Sequence, residues 1–186
     1  MDKFLIGQAV VRTVAIITTL VAIVLMTISK QKIHIFGFDV DAKFSYTPAF
    51  KFYVATNIVA CVFAVLSFSV LLRNVRLANP GRKMHYIIFL LDLAVMVFVL
   101  IGSAAATAIG YLGRYGNSHA GWMPICDHFG KFCHKTMASL VFSYISVLLF
   151  TILIIWSSWK SSKLQVLAPE MEKNMKFRDN KIGMVA

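Results

Sequence analysis

The sequence predicts an all-α membrane protein, a four-transmembrane-helix bundle with both termini in the cytoplasm. Three observations predict it: a composition that is 59% hydrophobic and only 15% charged, four long apolar blocks almost free of charge, and one short basic connection between the middle blocks. A soluble domain of 186 residues needs a larger charged share to cover itself in water.

The first block covers residues 5–29, and Arg12 is the only charge between Lys3 and Lys30. It is too long for a signal-peptide core and no small-residue cleavage site follows it, so it is expected to remain as an uncleaved anchor. Residues 30–51 then alternate apolar and polar side chains through Ile33, Ile35, Phe36, Phe38, Val40 and Phe44, the pattern of a short hairpin or extended segment, with Pro48 just before the next helix. The second block, 52–72, has no charge, and the third, 86–112, has only Asp92. Between the third and fourth blocks, residues 113–135 carry Gly113, Gly116, Gly121 and Pro124, which suit a compact cap without regular structure. The fourth block, 136–159, is again uncharged and ends on Trp156, Trp159 and Lys160, an interfacial anchor. Each block matches the ~20 residues that a helix needs to cross a hydrocarbon core, longer than the ~10–14 of a buried soluble helix. Residues 1–160 therefore form the membrane domain. Residues 161–186 are basic and lack a sustained apolar period, so they read as a mobile cytoplasmic tail able to touch lipid.

Sidedness follows from the basic residues that flank the spans. With both ends inside, the inner face holds Lys3, Arg73, Arg76, Arg82, Lys83, Lys160 and the tail cations. The outer face holds Lys30, Lys32, Lys43, Lys51, Arg114, Lys131 and Lys135. The inner connection packs Arg73, Arg76, Arg82 and Lys83 together without an acidic residue, and short loops of this kind weigh most in the positive-inside rule. The net charge of +11 is spread over such flanks with no nucleic-acid-reading motif, so the lipid bilayer and its anionic headgroups are the partner it implies, and nucleic acid is not.

Arg12 and Asp92 are the charges that break the apolar pattern. Arg12 lies about 12 Å into the membrane from Phe4, and Asp92 about 9 Å from Tyr86, at 1.5 Å rise per residue. In a four-span topology both depths are measured from the same side. An unpaired ion in hydrocarbon costs several kcal/mol or more, so a salt bridge between the first and third spans is the expected arrangement. A proton or ion pathway would want more polar residues along one cavity, and the spans offer few.

Small residues mark where helices can approach. Asp92, Ser103, Ala106 and Gly110 lie on one side of the third span, and Gly102-x-x-x-Ala106-x-x-x-Gly110 makes an extended stripe. Ser139, Ser143 and Ser146 do the same on the fourth span, and Asn57, Cys61 and Ala64 on the second. Such stripes serve packing within a bundle or between copies, and sequence alone does not separate the two.

Cys126 and Cys133 share the second outer loop, which on this topology faces an oxidising compartment, so a disulfide is the natural reading. The rival is a zinc site that adds His128 and His134, with Asp127 near by, but ligands at 126 and 128 stand too close for the usual spacing. Cys61 reads as a small apolar residue against another helix. There is no phosphate-cradling glycine loop, no helical His-Glu-x-x-His, no nucleophile elbow and no intramembrane carboxylate pair, so no catalytic residue and no cofactor is expected.

These features together resemble the plant CASP-like proteins, relatives of the Casparian strip membrane domain proteins. The likeness rests on Arg12 in the first span, Asp92 in the third, Phe50-Lys51-Phe52-Tyr53-Val54-Ala55-Thr56-Asn57 entering the second, and Trp122, Ile125-Cys126-Asp127, Phe129 and Phe132-Cys133 in the second outer loop. Residues 31–49 lack the short signature of the strip-forming members, which points to the broader CASP-like group. The resemblance implies a MARVEL-like four-span topology, a plasma-membrane location, Arg12 with Asp92 as the intramembrane pair and Cys126 with Cys133 as the bridged pair. It also implies homodimers or heterodimers with related four-span proteins. The best-known relatives form polymeric platforms that fence off a membrane domain and recruit wall-modifying enzymes. A laterally assembling scaffold is the leading expectation, a channel or transporter subunit the second, and a membrane enzyme the third.

Overall fold

A computed structural model describes residues 3–35, 38–76 and 82–183, with side chains described within 6–34, 39–73 and 86–159. Helix α1 spans Lys3–Thr27, α2 Pro48–Arg76, α3 Arg82–Tyr115 and α4 Gly130–Gly183. All four are long and apolar enough to cross a membrane. The connection 77–81, and the side chains of Arg76, Arg82 and Lys83 that carry the sidedness expectation, lie outside the described residues.

The buried faces explain why these helices associate. On α1 the buried positions are Gln8, Arg12, Ala15, Thr19, Ala22 and Met26, and on α4 Thr136, Ser139, Ser143, Ser146, Phe150, Leu153 and Ser157 form a buried row, with Phe132 and Leu140 also buried. On α2 Tyr53, Asn57, Ala60, Ala64, Ser67 and Leu71 follow the same alternation of three and four residues. That spacing is the seam of left-handed bundle packing. The opposite faces are apolar: Ile6, Val10, Val14, Ile17 and Val24 of α1 are exposed, as are Val141, Leu148, Ile152 and Ile155 of α4. The bundle is thus more polar inside than outside, a distribution that suits hydrocarbon and not water.

Helix α2 packs on α3, α3 on α4, α1 on α4 and α1 on α2, so α1 and α3 face each other across the diagonal. A Cβ added at Gly7 of α1 would meet Trp156 of α4 at 3.3 Å, which puts the two chain ends at the same end of the bundle. This is the termini end; the other is the loop end.

At the loop end, β1 (Lys30–Ile35) and β2 (Phe38–Lys43) form the antiparallel hairpin that the alternation in this loop predicts, with Lys30 opposite Lys43 and Ile33 opposite Val40. Pro48 is the first residue of α2, where its missing N–H is not needed. The second loop is more ordered than expected, because it holds a 3₁₀ turn, Ser118–Ala120, inside a bridge between Asn117 and Trp122. Gly116 makes this possible: its φ is +67°, and a Cβ there would meet the Trp122 carbonyl oxygen at 2.5 Å.

The backbone of α4 is helical to Gly183, through a stretch that lacks a sustained apolar period. Leu167, Glu170, Met171, Glu172, Lys173 and Lys176 are good helix formers that require no buried face, while Pro169 among them opposes the helix.

Candidate functional site

The charges expected to break the apolar pattern meet across the bundle diagonal. Arg12 Nη1 donates to Asp92 Oδ1 at 2.7 Å, and Nη2 donates to Oδ2, so the guanidinium grips the carboxylate with two parallel hydrogen bonds. Ser67 of α2 joins them. It accepts from Arg12 Nη1 and donates to Asp92 Oδ1 at 2.9 Å. Exposure is 1% for Arg12 and 0% for both Asp92 and Ser67, so the ions have exchanged water for one another. Arg12 Nε has no acceptor among the described residues. Three helices meet in this node, and its three members come from the early turns of α1 and α3 and the late turns of α2.

Toward the loop end the serines of α4 form further polar layers. Ser146 Oγ lies 2.8 Å from Thr18 Oγ1 and 3.2 Å from Thr19 Oγ1 of α1. Ser143 Oγ donates to Asn57 Oδ1 of α2 at 3.1 Å and lies 2.8 Å from Ser103 Oγ of α3. Ser139 Oγ donates to the Ala22 carbonyl of α1 at 2.6 Å, while the Tyr53 hydroxyl of α2 approaches Ser139 Oγ at 2.9 Å. The stripe on α4 therefore binds all three other helices. The spans thus hold more buried polar side chains than the few expected, because serine and threonine barely register against an apolar background. These groups hydrogen-bond to one another within the packed interior.

The small-residue stripe of α3 divides its work. A Cβ at Gly102 would collide with Thr56 Oγ1 and approach Tyr53 Cα at 3.4 Å, so this glycine is the point of contact with α2. Ser103 faces α4, Ala106 is buried in the loop-end apolar cluster, and Gly110 looks toward Leu140 with ordinary clearance of 3.8 Å.

At the loop end, Cys126 and Cys133 are disulfide-bonded with Cα atoms 5.7 Å apart. The bridge ties the second loop to the first turn of α4. Ile125 and Cys126 donate backbone N–H groups to the Gly113 carbonyl at 2.8 and 3.1 Å, fastening the same loop to the end of α3. Gln31 Oε1 accepts from Phe132 N at 3.0 Å, and Ser29 Oγ donates to the Phe132 carbonyl at 3.1 Å. Hairpin and loop thus cap one cluster containing Met26, Phe50, Tyr53, Phe129, Phe132 and Leu140. Among the described residues no group of three or more His, Cys, Asp and Glu could hold a metal ion. Cys61 is a free, half-buried thiol.

Sequence reasoning missed Ser67, Thr19, Ser29 and Gln8. Their signal was available in part: Gln8, Arg12 and Thr19 fall on the same three-and-four spacing of one helix, which Ser29 continues just past its end, and Asn57 and Ser67 do so on another.

Comparison with known proteins agrees with this architecture. The family model for the Casparian strip membrane protein domain matches residues 2–149. The chain is similar to CASP-like protein 1F2 of Populus trichocarpa, 48% identical over 165 residues that cover 88% of this chain and 90% of the relative. It is 46% identical to CASP-like protein 1F1 of the same organism, over 88% of this chain and 91% of that one. Against CASP-like protein 1F1 of Vitis vinifera the identity is 42%, over 88% and 79%. No solved structure matches.

Proposed function

The chain belongs to the Casparian strip membrane protein domain family, and on that footing we propose that it is a non-enzymatic scaffold of the plasma membrane. In this reading both tails face the cytoplasm, in keeping with Arg73, Arg76, Arg82 and Lys83. The protein assembles laterally with itself and with related four-span proteins, organises a membrane domain and presents its outer loops to wall-modifying partners. Arg12 and Asp92 act in it as a structural pair, and Cys126 and Cys133 hold the cap in shape.

One observation supports this reading most. Apart from Arg12 Nε, the polar side chains described inside the bundle hydrogen-bond to one another or to backbone in layers around Ser67, Ser143 and Ser139, so they serve helix–helix cohesion. A permeation path needs such groups to face water. The second reading, a channel or transporter subunit using Arg12 and Asp92, draws on the same run of polar side chains and requires it to open.

Crosslinking of two differently tagged copies in native membranes, followed by mass spectrometry, tests the scaffold. Co-isolation of both tags with intermolecular crosslinked peptides is expected. Recovery of intramolecular crosslinks alone, together with Asp92-dependent ion flux in proteoliposomes, would replace it by the channel. For sidedness, a membrane-impermeant thiol probe should fail to reach a cysteine placed beyond Lys160 in intact cells, and labelling there would invert the topology.

A further inference from the structure

A cavity of about 560 Å³ lies at the loop end, between the last turns of α3, the early turns of α4 and the two loops. Its volume falls in the ~300–1,000 Å³ range of small-molecule sites. The floor is apolar, formed by Phe50, Phe129, Phe132 and Leu140. Charge enters only at the rim, through Arg114 and through Lys43 with Asp41. Lys43 is already matched by Asp41, 2.6 Å away. Arg114 has no acidic partner among the described residues, and its guanidinium stands 5.9 Å from the centroid of the Tyr115 ring.

The surroundings identify the occupant. Trp122, Met123 and Ile125 line the cavity and turn outward, Met123 being 85% exposed, and Tyr111 and Tyr115 are exposed on the adjoining end of α3. Aromatic and large apolar side chains left outward at the end of a membrane span belong at the level of lipid headgroups. The cavity therefore opens where hydrocarbon meets headgroup, with an apolar interior and one uncompensated guanidinium at its lip. We propose that it binds one phospholipid molecule, an acyl chain lying on the Phe50–Leu140 floor and the phosphate on Arg114. Guanidinium groups pair with phosphate oxygens through charge-assisted and often bidentate hydrogen bonds, which gives the lip its selectivity.

Native mass spectrometry of the full chain from detergent tests this, with phosphatidylglycerol and a diacylglycerol of the same acyl chains as probes. One phosphatidylglycerol per chain should be retained. Arg114→Gln should weaken its binding about tenfold, the scale of one hydrogen bond to a charged group, and leave diacylglycerol unchanged. Gly113→Trp should abolish both, because Gly113 lines the cavity and a Cβ there meets nothing within 4 Å. Melting curves without lipid report whether each variant folds, and Met137→Trp blocks the same cavity from α4 if Gly113→Trp does not. Equal retention of phosphatidylglycerol by the native chain and a folded, blocked variant would overturn the site. An Arg114→Gln change that moves both lipids alike, or neither, would overturn the role of the phosphate.

Discussion

The two ends of the bundle are held by different physics. At the termini end Arg12, Ser67 and Asp92 are buried and joined by charge-assisted hydrogen bonds, and that geometry spans the diagonal between α1 and α3. At the loop end a covalent bridge, an aromatic cluster and backbone hydrogen bonds close a cap over the same four helices. The contrast teaches where each kind of interaction is usable. Deep in hydrocarbon an ion without its partner has no alternative solvent, so the pair is all-or-none. Near the membrane surface water can replace a lost polar contact, and cohesion rests on packing and a crosslink, which fail gradually.

The sharpest break between the two ends comes from neutralising the node one charge at a time. Arg12→Leu or Asp92→Leu alone should cost about 3–5 kcal/mol, because each leaves a buried ion unpaired. The double change removes both desolvation penalties and should recover much of the folded yield, read as the monodisperse fraction on size-exclusion chromatography. A double variant no better than the worse single one would show that the pair is not mainly structural.

Reduction of the disulfide sharpens the comparison from the other end. Cys126 and Cys133 are seven positions apart in sequence, so opening the bridge should release only about 2–3 kcal/mol of loop-closure stabilisation. Hydrogen exchange is expected to speed up in the second loop and the first turns of α4, with amides around Arg12 and Asp92 unchanged. Equal acceleration at both ends would mean that cap and node unfold together, and that the division drawn between them is wrong.

How much of this was legible in the sequence follows from the same contrast. Arg12 and Asp92 stand out because charge in an apolar block is rare, and the matching depths need only the helical rise. Cys126 and Cys133 stand out by sharing one loop. Ser67 does not, since serine is tolerated on either face of a span and only its spacing from Asn57 and Leu71 betrays the interior. The Gly102 stripe announces a close approach without saying to which helix, because a missing side chain carries no partner identity. Turn chemistry was also underread: Asn117 accepts from the backbone N–H groups of His119 and Ala120, an arrangement set by one side chain within the loop. The helical continuation of α4 to Gly183 was hidden because propensity without amphipathic pattern is weak evidence.

The smallest effect is expected from the charges of the hairpin. Asp41 sits at the end of β2 beside Lys43, with Tyr46 also hydrogen-bonded to it. Chiefly through the hydrogen bond from Lys43, and then those from Tyr46 and the field of Lys32, its carboxyl is held below its ordinary value of 3.8, while Lys43 is raised above 10.5 chiefly by Asp41. The signs are opposite. What Asp41 contributes is present above its unfolded pKa and lost as pH falls through the lower folded value. What Lys43 contributes is complete below its unfolded pKa and lost as pH rises through the higher folded one. Between about pH 5 and pH 9 this pair should therefore leave hairpin stability flat, and being solvent-facing it should weaken with added salt. Carboxyl chemical shifts of Asp41 in micelles, followed through acid titration, measure this directly, and Lys43→Ala should return its midpoint toward 3.8. A midpoint already at the ordinary value with Lys43 present would mean that solvent dissolves the contact, which would widen the contrast with the buried pair at the termini end.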